Sequence, residues 1–159
     1  MRYQDCAEIV QADEEASGSD SAQLVDANIH PTTKLATDYL NHFNEAIMLL
    51  DMLSSCPDCL DDFLCWQPKS YREHFTQSRF ATRELALAAY EAADPQAREC
   101  LDALADSMTA LLEEARSAFA AGMPVGALAE QTAGALKVLV VRAGAVINGE
   151  DDRRVPASK

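Results

Sequence analysis

The spacing of the apolar residues constrains this chain most. Between Pro95 and Ala121 the series Ala97, Leu101, Leu104, Met108, Leu111, Ala115 and Ala118 advances by fours and threes. Side chains at that spacing share one side of an α-helix. No segment alternates apolar and polar residues as a half-buried strand would. The chain is therefore expected to be all-α. A stripe of this kind must be buried against other helices, so an antiparallel bundle is the expected architecture.

The same spacing places four more helices. A helix over Thr32–Leu53 would bury Leu35, Tyr39, His42, Ala46, Leu49 and Leu53 on one stripe, and Ala36, Leu40, Phe43, Ile47 and Leu50 on the next. Pro31 suits its first turn, where a missing N–H costs nothing. A short helix over Pro57–Trp66 opens on Pro57 and Asp58 and carries Leu60, Phe63 and Leu64. Ser70-Tyr-Arg-Glu73 reads as a capping box, opening a helix to Ala92 that buries Tyr71, Phe75, Leu85 and Ala89. Asp94-Pro95 starts the next helix and Gly122 stops it. A last helix is expected over Pro124–Asn148. The expectation is thus four long helices joined by one short connecting helix.

The last helix is unusual. From Ala133 to Ile147 it is apolar on nearly every side, apart from Lys137 and Arg142. A helix of that composition needs cover all round, so it is expected either to sit centrally or to form a subunit interface. Gly126, Gly134 and Gly144 each cost about 1 kcal/mol against alanine in a helix interior. They fit close approach of another helix, or simple tolerance in an alanine-rich segment. The reading adopted is a homodimer through Leu136, Val140, Val141 and Gly144.

Charge narrows the partners. The net charge is −13, and residues 1–30 contribute −6 of it. That segment includes Asp13-Glu-Glu-Ala-Ser-Gly-Ser-Asp-Ser21 and is expected to be a disordered acidic arm, since it lacks apolar surface to offset ordering entropy. Residues 31–148 form the expected bundle domain and 149–159 a disordered tail. An acidic chain is a poor match for nucleic acid or anionic lipid, which select basic faces. A protein partner, basic in character, fits better. The first residues do not read as a signal peptide, and no apolar run is long enough to span a bilayer. Five cysteines, an odd number, fit mostly free thiols, and a cytoplasmic location is expected.

Chemistry-bearing residues are few. Cys56-Pro-Asp-Cys59 is a C-x2-C pair and Cys65 follows. One reading is a thiol-redox pair, although acids at Asp58, Asp61 and Asp62 disfavour a thiolate. Another joins Cys56, Cys59 and Cys65 to His74 as a zinc set. The plain reading is buried, hydrophobe-like cysteines near Trp66. Asp38, His42 and Glu45 lie on one side of the first long helix and suggest a zinc or iron row. Di-iron bundles, however, repeat a Glu-x-x-His motif that this chain lacks. No nucleophile elbow, phosphate loop or H-E-x-x-H motif is present. No cofactor is expected, zinc or iron being the metals these alternative sets would take.

Aromatic residues crowd between positions 63 and 80, interleaved with bases. Trp66, Tyr71, Arg72, Phe75 and Arg79 are either core packing or, where exposed, a partner surface, because such residues dominate interface hot spots. The function read from the sequence is a non-enzymatic helical adaptor or regulatory protein acting through protein–protein interaction. The alternative is a metal-binding or thiol-redox helical protein.

Overall fold

The structure is a computed structural model that describes residues 20–79 and 81–150. It is all-α: among the described residues there is no strand, only one isolated bridge between Ile29 and Ala36. The expectations for residues 1–19 and 151–159, and for Phe80, lie outside the described residues.

Residues 20–30 depart from the expected arm. Residues 20–26 form a helix, α1. Leu24, Ala27 and Ile29 are buried in the core. Three apolar side chains spaced three and two apart dock this turn.

The first long helix starts later than Thr32. Residues 30–35 form a compact loop instead. The Thr32 and Thr33 N–H groups donate to His30 Nδ1 at 3.2 and 3.3 Å, and His30 N donates to Leu35 O at 2.9 Å. Lys34 adopts a positive φ of 62°, which no α-helix accommodates. A 3-10 turn at Thr37–Tyr39 then leads into α2, Leu40–Met52. The short helix α3 spans Cys59–Cys65.

The helix expected over Tyr71–Ala92 is broken in two, giving α4 (Tyr71–Gln77) and α5 (Arg83–Glu91). The capping box at Ser70 and Glu73 is present, with bonds of 3.2 and 2.8 Å. The break follows from the sequence after Phe75. Thr76, Gln77, Ser78 and Arg79 offer no apolar anchor, and Ser78 turns extended while its hydroxyl donates to Phe75 O at 2.9 Å. Two short helices therefore stand where a fourth long one was expected.

The two longest helices match their expected positions. Helix α6 spans Pro95–Ala120, opened by Asp94 accepting from Ala97 N. Gly122, at φ 86°, turns the chain beyond it. Helix α7 spans Val125–Ile147. It packs along α6 on one side and along α2 on the other. The last helix thus lies between α6 and α2, with its remaining side in solvent. Thr33 Oγ1 ties the early loop to its end, donating to Ile147 O at 2.5 Å. The α6–α7 seam holds Leu101, Met108, Leu112, Ala115, Ala133 and Leu136 fully buried.

Candidate functional site

Two places stand out: an aromatic corner where α2 meets the links around α3 and α4, and the outward face of α7.

The corner begins at Trp66, where α3 ends and the backbone turns extended. Its ring stacks on His42 at 4.5 Å, and its indole N–H donates to His42 O at 3.2 Å. His42 lies 6.0 Å from His74, and His74 sits edge-on to Tyr39 at 5.6 Å. Tyr39 meets Tyr71 at 5.1 Å, and Tyr71 stacks on Tyr90 at 4.5 Å. The Tyr90 hydroxyl ends the row on the Asp102 carboxylate of α6, 3.1 Å away. Contacts of this kind add about 0.5–1.5 kcal/mol per aromatic pair beyond area burial.

Hydrogen bonds to distant backbone fix the row. Ala36 N donates to the Tyr71 hydroxyl at 2.8 Å, and the Tyr39 hydroxyl donates to Lys69 O at 2.8 Å. Arg116 of α6 donates to Trp66 O. Burial pushes the Tyr39 and Tyr71 hydroxyls well above the usual phenol range, the Asp102 charge adding to the effect at Tyr39. Burial, then the charges of His74 and Lys69, holds His42 down at about 4. His74 is lowered as well, chiefly by burial. Both imidazoles are neutral at pH 7.

Their Nε2 atoms are buried without a hydrogen-bond partner. A buried polar atom left in that condition costs about 1–3 kcal/mol.

The expected partner surface divides. Trp66, Tyr71 and Phe75 are buried, so they are core rather than surface. Aromatic bulk in a link had allowed both readings; packing onto α2 decides it. Arg72 and Arg79 remain exposed. Arg72 pairs with Glu91 at 2.5 Å and lies over the Tyr90 ring.

The expected metal sets are not assembled. Among the described residues no group of three or more His, Cys, Asp or Glu is gathered to hold an ion. Cys59 is buried and hydrogen-bonded to Cys56, which raises its thiol pKa, while Cys65 is exposed at the far end of α3. His74 faces His42 and Tyr39 instead of the cysteines. Glu45 is exposed while His42 points into the corner, which splits the Asp38, His42 and Glu45 row.

The interface residues expected on α7 divide too. Leu136 is fully buried in the core, and Gly144 faces Leu40 of α2, whose side chain lies 3.8 Å from where a Cβ would stand. A Cβ there would make only an ordinary contact, so the position faces α2 without requiring glycine. Val140 is half-buried. Val141 points outward at 72% exposure, joined by Val138 at 61%. Gly134 and Ala135 lie on the same outward side. Beside them runs a groove of about 250 Å³ between α6 and α7, lined by Leu111, Ala115, Leu128 and Ala135 among others. No described helix is long and apolar enough to cross a membrane.

Sequence reasoning did not find Tyr39, Tyr90 and Asp102 as one group. Tyr39 was legible only as an apolar-face residue. Nothing in the spacing linked Tyr90 to an acid on the next helix.

Comparison with known proteins gives no guide: no family model, no curated protein and no solved structure matches the chain.

Proposed function

We propose that the protein is a non-enzymatic helical adaptor or regulator that works by protein–protein association, docking through the outward face of α7. The observation that carries this reading is the pair of valines, Val138 and Val141, held mostly in solvent on a helix that is otherwise packed on both flanks. Burying two such side chains is worth about 1.5–3 kcal/mol each, and the flat Gly134–Ala135 surface lets a second helix approach closely.

A second copy of this chain is the occupant the charges favour. The chain is strongly acidic, but α7 carries Glu130 against Lys137 and Arg142. Two copies therefore repel least along this helix. An antiparallel α7–α7 crossing would be the self-complementary contact that a two-fold interface requires. Sedimentation of the full chain tests the reading. The expected result is a dimer that becomes a monomer, with unchanged helicity, in the Val138→Glu/Val141→Glu variant. A monomer at all concentrations would remove the homodimer.

A thiol-redox role is the second reading. It is supported by the hydrogen-bonded Cys56 and Cys59 thiols in one tight turn, where Cys59 N donates to Cys56 O at 3.0 Å. Oxidised glutathione should close them to a disulfide, detected as a two-thiol loss that Cys56→Ser abolishes.

A further inference from the structure

The acids of this chain are not spread evenly over its helices. Residues 40–65, which hold α2 and α3, contain five acids and no lysine or arginine. The five are Glu45, Asp51, Asp58, Asp61 and Asp62, and all are exposed. Lys137 of α7 reaches Asp51 at 2.9 Å. The other four stand on α2, at the start of α3 and on α3, which packs against α2.

The same region exposes apolar side chains. Met48 is 54% exposed and Met52 40%. They lie one turn apart, in line with Asn41, Asn44 and Glu45 on the outward side of α2. Leu49, half-buried beside them, joins this strip to the core. From Asn41 to Met52 the strip runs about 16 Å, or roughly three helical turns. A single exposed apolar residue is ordinary, and Met123, 54% exposed after α6, is one. Met48 and Met52 differ from it in being paired at helical spacing within an acidic surround.

Charge decides what this surface can receive. A second copy of the chain would bring the same acids against it. Nucleic acid and anionic lipid have the wrong sign. A metal ion finds no gathered set of ligands among the described residues. A cationic segment with apolar side chains satisfies both halves of the surface: its bases meet the acids, and its apolar side chains meet the thioethers. An amphipathic helix carries those two groups on opposite sides and fits a strip of this length. Methionine is unbranched and flexible, so it repacks around apolar side chains of differing shape.

We propose that the α2–α3 face is a docking site for a basic amphipathic helix of a second protein. The site is on a different helix from Val138 and Val141 and does not depend on association there. The two surfaces also differ in charge, since α7 carries one acid against two bases.

The probe is a synthetic lysine–leucine peptide of roughly 18 residues, about five turns, with its leucines on one side of the helix. It is titrated into the full chain carrying isotope-labelled methionine methyl groups, whose signals are followed by NMR. The expected result is saturable binding that shifts Met48 and Met52 and leaves the buried Met108 and the exposed Met123 in place. Met48→Ser/Met52→Ser should weaken binding about tenfold or more with the charge unchanged. Asp58→Asn/Asp61→Asn/Asp62→Asn should weaken it by a similar factor at low salt, where exposed charges are least screened. Val138→Ser/Val141→Ser should leave it unchanged. The Met108 signal reports that each variant is folded. A peptide with serine in place of leucine should bind about tenfold more weakly or worse. One with glutamate in place of lysine should not bind. The proposal is overturned if Met48 and Met52 do not shift, if Met123 shifts with them, or if the methionine variant binds as tightly as the unsubstituted chain. Equal binding of the serine peptide would show charge attraction alone and also overturns it. Binding lost in the Val138→Ser/Val141→Ser chain would assign the peptide to α7, with the same consequence.

Discussion

The α6–α7 seam and the aromatic corner are both buried, but different physics holds them. The seam is aliphatic and repetitive: Leu101, Met108, Leu112, Ala115 and Leu136 meet along two long helices, and almost all of its cohesion is apolar burial. The corner is built from single contacts between segments far apart in sequence. Tyr71 reaches Ala36, Tyr39 reaches Lys69, and Trp66 reaches back to His42. A periodic seam tolerates small local change. A corner of single hydrogen bonds locks one arrangement and leaves particular atoms stranded when a partner is missing. Unpartnered polar atoms therefore collect in the corner, while the seam supplies rigidity and presents the outward side of α7.

The comparison is broken most forcefully in the seam. Leu112→Ala, at a site with no solvent exposure, should lower unfolding free energy by about 2–5 kcal/mol in denaturant titrations. A loss below 1 kcal/mol would mean that α6 and α7 are not packed as described.

The corner should answer to pH where the seam does not. His42 is neutral in the folded protein, held at about 4, while the unfolded chain takes up its proton near 6.5. Its contribution is complete above the unfolded value and is lost as pH falls from there towards about 4. The unsubstituted chain should lose about 2–3 kcal/mol across that window that a His42→Leu chain keeps. Parallel stability–pH curves for the two chains would show that His42 is not held neutral.

Tyr71→Phe removes the acceptor of the buried Ala36 N–H and should cost about 1–3 kcal/mol, with little change in volume. The smallest effect belongs to the surface. Lys137 and Asp51 pair at 2.9 Å with both side chains about half exposed, so Lys137→Ala should change stability by at most about 1 kcal/mol.

What could be read in the sequence divides along the same line. The helices at Pro95–Ala120 and Val125–Ile147 were legible because a stripe repeated over many turns is a strong signal, and proline, aspartate and glycine marked their ends. The capping box at Ser70 was legible because it is local. The loop at 30–35 was not, because it depends on His30 acting as a hydrogen-bond acceptor and on a left-handed Lys34. The break after Gln77 was hidden because Tyr71, Phe75, Leu85 and Ala89 read as one apolar face, although Thr76, Gln77, Ser78 and Arg79 supply no apolar side chain to it. Neighbouring histidines 32 positions apart leave no trace in spacing, so the contact between His42 and His74 was not legible.

Side-chain footprinting with hydroxyl radicals, at low and high protein concentration, tests the central contrast between a sealed corner and an open helix face most directly. Trp66 and Tyr71 should stay unlabelled at both concentrations, while Val138 and Val141 label in dilute protein and become protected as copies associate. Strong labelling of Trp66, or labelling of Val141 that ignores concentration, would contradict the account.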